Sequence, residues 1–174
     1  MRRLVFRLLF YPTLAWNLLL HRLKARRRWW DRVAEHVLVG ALPFAADVQR
    51  LQAEGVRAVV NTCEESAGPE AAYAQAGIVQ LRIPTVDFTP PSLADILRAL
   101  AFMREHIARG ETVLVHCKAG RGRSATVALC WLIEERGLTP EAAQAVLQEK
   151  RPHVSRMLWK REVVQEFARR QGEK

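Results

Sequence analysis

The sequence predicts an α/β domain, a central and mostly parallel sheet flanked by helices, preceded by an amphipathic helical arm at the N-terminus. Short β-branched, apolar runs alternate with segments of helical period along most of the chain, the pattern of strands joined by crossover helices. One run, Thr112–His116 (TVLVH), is nearly continuous in apolar residues, as a strand covered on both faces must be. Positive charge is also concentrated at one end. Nine of the 27 Lys and Arg lie in residues 1–32 against a single acid, Asp31, so that segment carries +8 of the formal +9.

At 174 residues the chain is long enough for one domain. Its 49% hydrophobic and 26% charged composition excludes wholesale disorder. Beyond residue 32 basic and acidic residues nearly cancel. A nucleic-acid-binding fold, which spreads cations over a folded face, is therefore not expected. The natural division is an arm over residues 1–32 and a domain over residues 33–174.

In the arm, residues 4–20 (LVFRLLFYPTLAWNLLL) are strongly apolar but broken by Arg7, Pro12 and Asn17. That is too short and too interrupted for a membrane-spanning helix. No small-x-small cleavage site follows, which argues against a signal peptide. The preferred reading is an anchor lying on an anionic membrane surface, and the alternative is an ordinary helix packed on the domain. On the anchor reading, Phe6, Phe10, Tyr11, Trp16, Trp29 and Trp30 sit at headgroup level. Arg22, Lys24, Arg26, Arg27 and Arg28 meet the phosphates, each contributing about 1 kcal/mol.

In the domain, His36–Val39 reads as a short strand ending at Gly40, residues 44–54 as a helix and Arg57–Asn61 as a buried strand. Residues 69–77 read as a helix and Ile78–Ile83 as a third strand. Leu93, Ile96, Leu97, Leu100 and Ile107 recur on one face of a helix over 92–109, with Ser92 as N-cap and Asp95 at the capping-box position. Thr112–His116 is the fourth strand. A helix runs from about residue 123 to Gly137, and Thr139-Pro140-Glu141 opens another. A last helix is expected over 159–170.

The segment Val115-His116-Cys117-Lys118-Ala119-Gly120-Arg121-Gly122-Arg123-Ser124 carries the chemistry. It places a cysteine at the C-terminal end of a buried strand, where open α/β sheets bind ligands. Gly120 and Gly122 allow a short loop to turn its backbone N–H groups inward, an anion nest at a helix N-terminus. The same field stabilises a thiolate well below the ordinary thiol pKa of ~8.5. Arg123 offers a fork matched to two phosphate oxygens. Ser124 can donate to the departing thiolate. His116 is expected to stay off the substrate and hydrogen-bond the loop, tuning the thiolate. Cys63 and Cys130 lack such neighbours and read as packing residues; the three cysteines form neither a disulfide framework nor a zinc signature.

Expelling an alkoxide from a phosphomonoester needs a proton donor. Asp87, in the proline-flanked loop Pro84–Pro91, is the strongest candidate, the alternative being a turn aspartate capping Thr89. Asp95 is better explained by capping.

These residues resemble the cysteine-dependent dual-specificity phosphatases of the protein-tyrosine-phosphatase superfamily, and more narrowly the mitochondrial-type phosphatidylglycerophosphate phosphatases. The resemblance rests on His116–Thr126, Leu9–Leu14, Gly40–Pro43, Gly55–Val59 and Thr85–Asp87. It implies a dual-specificity phosphatase catalytic domain over 33–174 and a two-step reaction. Cys117 would form a phosphocysteine, Asp87 would act as acid and then as base, and Arg123 with the loop 118–122 would hold the phosphoryl group. No metal or other cofactor is required. The implied substrate is a phospholipid, phosphatidylglycerophosphate, at an anionic membrane. The competing enzyme is a protein phosphotyrosine or phosphoserine/threonine phosphatase.

A non-catalytic phosphate-binding module is disfavoured because nucleophile, arginine and candidate acid are all present. A rhodanese-like sulfurtransferase fits the positions of Arg123 and Asp87 less well. The family's Glu-Glu-Tyr-Glu stretch appears here as Glu64-Glu65-Ser66-Ala67, without the tyrosine. Either glutamate could orient the loop or Arg123, or both could form a solvated turn; Arg156 lies near another basic position of the family. A monomer is expected. The expected place is the cytoplasmic face of a bacterial inner membrane, or the mitochondrial inner membrane in a eukaryote.

Overall fold

The computed structural model describes residues 12–15 and 28–172. Its centre is a five-stranded sheet in the order β1-β2-β5-β3-β4. The strands are β1 (Trp30–Ala34), β2 (Val37–Gly40), β3 (Val56–Cys63), β4 (Val79–Thr85) and β5 (Thr112–His116). β2, β5, β3 and β4 pair in parallel, and β1 alone runs antiparallel, against β2.

Side-chain alternation along each strand divides the core into two layers. Val37, Val39, Ala58, Val60, Val113 and Val115 face one layer, and Leu38, Val59 and Leu114 face the other. The first layer is covered by α3 (Leu93–Ala108), α4 (Arg123–Arg136), α5 (Pro140–Lys150) and α6 (Glu162–Gly172). The second is covered by α1 (Val48–Ala53), α2 (Glu70–Gln75) and the two tryptophans that lead into β1. α4 follows the central strand and is buried on every side from Arg123 to Ile133.

The helix boundaries follow local chemistry. Ser92 Oγ accepts the Asp95 N–H, and its hydroxyl donates to the Asp95 carboxylate at 2.7 Å. The capping box is thus half formed, with Asp95 closed on the cap side chain instead of its backbone. Thr139 caps α5 in the same way through the Ala142 N–H, and Gly137 ends α4 at φ +59°. The last helix begins at Glu162, because Leu158–Lys160 forms a separate 3-10 turn, and it continues to Gly172.

Two expectations change. Trp29 and Trp30 do not sit at a headgroup surface; both are buried, and each indole N–H has a protein acceptor. Trp29 Nε1 donates to the Leu42 carbonyl at 2.9 Å and Trp30 Nε1 to Glu54 Oε1 at 2.6 Å. They belong to the core because the segment after Arg28 forms β1, a strand the basic run obscured in the sequence. Of the arm itself, residues 12–15 are helical, and Leu14, 7% exposed, packs into the same layer as the tryptophans. At that position the packed-helix alternative describes the contact. Residues 1–11 and 16–27, and the anchor assigned to them, lie outside the described residues.

β1 is fastened across the molecule by a buried charge. Arg151, just past α5 and 1% exposed, donates from Nη1 to Asp31 Oδ2 at 2.5 Å. Removing one partner of a buried pair leaves the other uncompensated, at a cost of about 3–5 kcal/mol. Asp31→Ala is expected to lower the unfolding free energy by about that amount, read from urea denaturation followed by tryptophan fluorescence.

Candidate active site

Cys117 emerges from the carboxyl end of β5, between β2 and β3, and the loop 117–122 carries the chain into α4. Every carbonyl of residues 118–122 is engaged from outside the loop. The Lys118 carbonyl accepts from Leu42 N–H at 3.4 Å, and that of Arg121 from Ser155 N–H at 2.9 Å. The Gly122 carbonyl accepts from Thr126 N–H at 2.9 Å and from its hydroxyl at 2.8 Å. Arg151 takes the two in the middle, Gly120 O from Nε at 2.8 Å and Ala119 O from Nη2 at 3.4 Å. With the carbonyls turned away, the amides face inward, and Gly120 N–H points at Cys117 Sγ, 3.2 Å away. Gly120 has φ +65°, and a Cβ there would stand 2.5 Å from both the Gly40 carbonyl and Arg151 Nη2. Only glycine fits.

Arg123, 2% exposed, is held from behind. Its Nη1 donates to Glu65 Oε2 and to the Thr85 carbonyl, both at 2.8 Å. Nε and Nη2 are buried and form no hydrogen bond of good geometry; the Asp87 carboxylate faces that edge, and a bidentate anion would take its place there. The same packing settles the two glutamates. Glu65, with a 3% exposed side chain, orients Arg123; Glu64 contributes its backbone N–H to the Thr85 carbonyl at 3.3 Å.

Asp87 is the first central residue of the turn Val86–Thr89, just beyond β4. It does not cap Thr89, whose N–H and hydroxyl both donate to the Val86 carbonyl. Its carboxylate instead turns over the loop, with Oδ1 3.0 Å from Arg123 Nη2 and Oδ2 paired with the Lys118 ammonium. Asp87 and Lys118 are both nearly buried.

Burial alone would raise the Cys117 thiol pKa. The Arg123 charge, the Ser124 hydroxyl at 3.4 Å from Sγ and the Ser124 and Ala119 backbone N–H groups outweigh it and bring the pKa down to about 7. Burial pushes Cys63 and Cys130 far above the ordinary thiol range; at Cys63 the Arg123 charge offsets only part of it, and at Cys130 nothing does. Burial holds His116 neutral, down to about 3, against a weaker opposing pull from the Cys117 backbone. Both ring nitrogens are buried, and the loop group acting on the ring is the Cys117 backbone, short of full hydrogen-bond geometry. His116 packs beneath the nucleophile, and its carbonyl accepts from Thr62 Oγ1 at 2.9 Å.

Arg121 is exposed, and its Nε donates outward to the His153 carbonyl at 2.9 Å. Arg156 is exposed; besides Arg151, Arg161 reaches the loop, its Nη1 lying 2.6 Å from Thr126 Oγ1 and 3.4 Å from the Gly122 carbonyl. Arg151 and Arg161 were not singled out in the sequence. Among the described residues, no group of three His, Cys, Asp or Glu side chains could hold a metal ion.

A cysteine with substantial thiolate character at neutral pH thus lies beneath an inward-facing amide ring, with an arginine edge and a carboxyl group across from it. That arrangement can bind a tetrahedral oxyanion, attack it and exchange a proton with its leaving group. Comparison with known proteins agrees. Residues 38–168 match the dual specificity phosphatase catalytic domain, and the chain belongs to that family. It is a cysteine-dependent phosphatase.

The chain is 44% identical over 169 residues to the Arabidopsis thaliana phosphatidylglycerophosphate phosphatase PTPMT2, covering 95% of this chain and 74% of that one. It is 38% identical over 170 residues to the Mus musculus phosphatidylglycerophosphatase and protein-tyrosine phosphatase 1, covering 92% and 88%. The crystal structure of PTPMT1 in complex with PI(5)P superimposes with a TM-score of 0.76 at 35% identity, over 84% of this chain and 98% of that one.

The thiol environment makes a direct expectation. Cys117 is deprotonated above about 7 and protonated below it, so its alkylation by iodoacetate should rise with pH through that value, with Cys63 and Cys130 unlabelled in the folded protein. Ser124→Ala removes a donor to the thiolate and should move the inflection to higher pH, read by mass spectrometry of the labelled peptide.

Proposed function

We propose that the protein hydrolyses a phospholipid monoester, phosphatidylglycerophosphate, to phosphatidylglycerol at a membrane surface, through a phosphocysteine formed on Cys117. When the phosphoryl group enters, its oxygens take the loop amides and the Nε and Nη2 edge of Arg123, displacing the Asp87 carboxylate from that edge. The Cys117 thiolate attacks phosphorus in line; the S–P bond forms as the P–O bond to the glycerol oxygen breaks. Asp87, drawn off Arg123 and protonated from solvent, delivers that proton to the oxygen. Water then attacks the phosphocysteine, Asp87 takes a proton from it, and the S–P bond breaks. The thiolate returns to the Ser124 hydroxyl. Arg123 and the loop dipoles hold the charge throughout.

The observation that carries the lipid assignment is where the arm joins the domain. The Arg151 guanidinium that binds the Ala119 and Gly120 carbonyls also reaches the Arg28 carbonyl at 3.5 Å and the Trp29 carbonyl at 3.5 Å. The basic, apolar arm therefore enters the fold beside the phosphate loop. An anchor there would confine the site to the surface that holds the substrate, raising its effective concentration. The names of the plant and mouse relatives agree with the substrate. Both come from eukaryotes and give the bacterial placement no support. Among the described residues no helix is long and apolar enough to cross a membrane.

Phosphate release from phosphatidylglycerophosphate in anionic vesicles, measured against a phosphotyrosine peptide with a chelator present, tests the assignment. A preference of about 10²-fold for the lipid is expected; a preference for the peptide would make the protein a signalling phosphatase. Removing residues 1–27, which spares Trp29, Trp30 and Asp31, should abolish most of that preference and leave soluble aryl phosphates unaffected.

Asp87→Asn should slow alkyl phosphates by about 10²–10⁴-fold and aryl phosphates, whose leaving groups need no proton, far less. Equal losses on the two substrate classes would place the acid elsewhere.

A further inference from the structure

Phe88 follows Asp87 and is the second central residue of the turn closed by the Thr89 N–H donating to the Val86 carbonyl at 3.2 Å. Its φ is +65°, and among the described residues no other non-glycine residue has a positive φ. A turn with positive φ at this position favours glycine or asparagine, and a bulky side chain there is an outlier. The backbone does not ask for phenylalanine. Neither does the core, because the ring is 71% exposed, more than any other large hydrophobic side chain described. A strained residue that contributes little to packing points to a role outside the fold.

The surroundings define what that role can be. One face of the ring lies 5.4 Å from the Lys118 ammonium, the group paired with Asp87, so the ring stands at the mouth of the anion seat. Arg121, on the loop itself, is exposed. The adjoining segment, tied to it by the Ser155 N–H to Arg121 carbonyl bond, presents exposed Arg156 and Met157, the latter 52% exposed. Apolar side chains set among exposed cations are the composition of a surface that meets anionic lipid. The chain enters the domain at Arg28 and Trp29, whose carbonyls share the Arg151 guanidinium with the loop carbonyls of Ala119 and Gly120.

We propose that Phe88 is a membrane-contact residue, its ring entering the boundary between headgroups and acyl chains and seating the mouth of the site on an anionic bilayer. This rests on the membrane-surface reading above and adds to it a second attachment, on the catalytic domain itself. The strain at φ +65° fixes the ring outward beside the acid, so that docking and presentation of the substrate phosphate occur in one geometry.

The test separates docking from turnover. In the Cys117→Ser background, sedimentation with phosphatidylglycerol vesicles free of substrate should show Phe88→Asn binding about tenfold more weakly than the parent, the scale expected for removing one inserted aromatic, while Phe88→Trp retains binding. With Cys117 intact, Phe88→Asn should lose vesicle turnover in parallel, keep aryl-phosphate turnover within about twofold, and melt at a higher temperature, since asparagine tolerates the turn.

Unchanged vesicle binding would overturn the proposal. So would equal losses on aryl phosphate and vesicles, which would make Phe88 a support for the acid loop, or a loss confined to a phosphotyrosine peptide, which would make it an aromatic stacking platform. If the parent binds vesicles through Phe88 but does not hydrolyse phosphatidylglycerophosphate in them, the substrate assignment fails and the docking residue stands.

Discussion

A loop of peptide groups can bind an anion only if its carbonyls are satisfied somewhere else. In this phosphatase the requirement is met one residue at a time over 118–122, with Arg151 supplying the donors for the two at the crest. A buried guanidinium needs its own counter-charge, and Asp31 provides it. The Asp31 carboxylate sits on the edge strand β1, so the sheet margin, the end of α5 and the phosphate loop share one cation. Glycine at position 120 follows from the same crowding, since the space beside its Cα is already filled by Gly40 and Arg151.

Arg123 illustrates the reverse arrangement. Glu65 and the Thr85 carbonyl occupy one side of its guanidinium, while Nε and Nη2 are buried without a hydrogen bond of good geometry. The counter-charge on that edge is Asp87, its Oδ1 3.0 Å from Nη2, so a phosphoryl group entering there would have to take its place. Anion binding and the position of Asp87 are thus linked through a single guanidinium.

The strands and helices were largely legible in the sequence because their signals are local: alternation along β2, β3 and β5, the Ser92 and Thr139 caps, and Gly137 at a helix end. The nucleophile loop was legible for the same reason, since Cys117, Gly120, Arg123 and Ser124 lie within eight residues of one another. What escaped was long-range. β1 is a short edge strand with two charges, and its tryptophans look interfacial until Leu42 and Glu54 appear as their acceptors. Arg151 sits in an ordinary basic stretch, and nothing nearby in sequence announces that its partners are 31 and 120 residues away. The choice between Glu64 and Glu65 also needed the fold, because only the way the chain leaves β3 decides which carboxylate faces Arg123.

The 120-residue separation of Asp31 and Arg151 has a consequence for biogenesis. During synthesis β1 emerges 120 residues ahead of the side chain that locks it. Until then β1 is held by its pairing with β2 and by the bonds of its tryptophans to Leu42 and Glu54, and the carbonyls of Ala119 and Gly120 lack their donor. Contacts of such span form late and slowly. A nascent or truncated chain ending before Arg151 would therefore display its arm and its cysteine without an assembled anion seat. The anion seat is complete only once Arg151 has joined the fold.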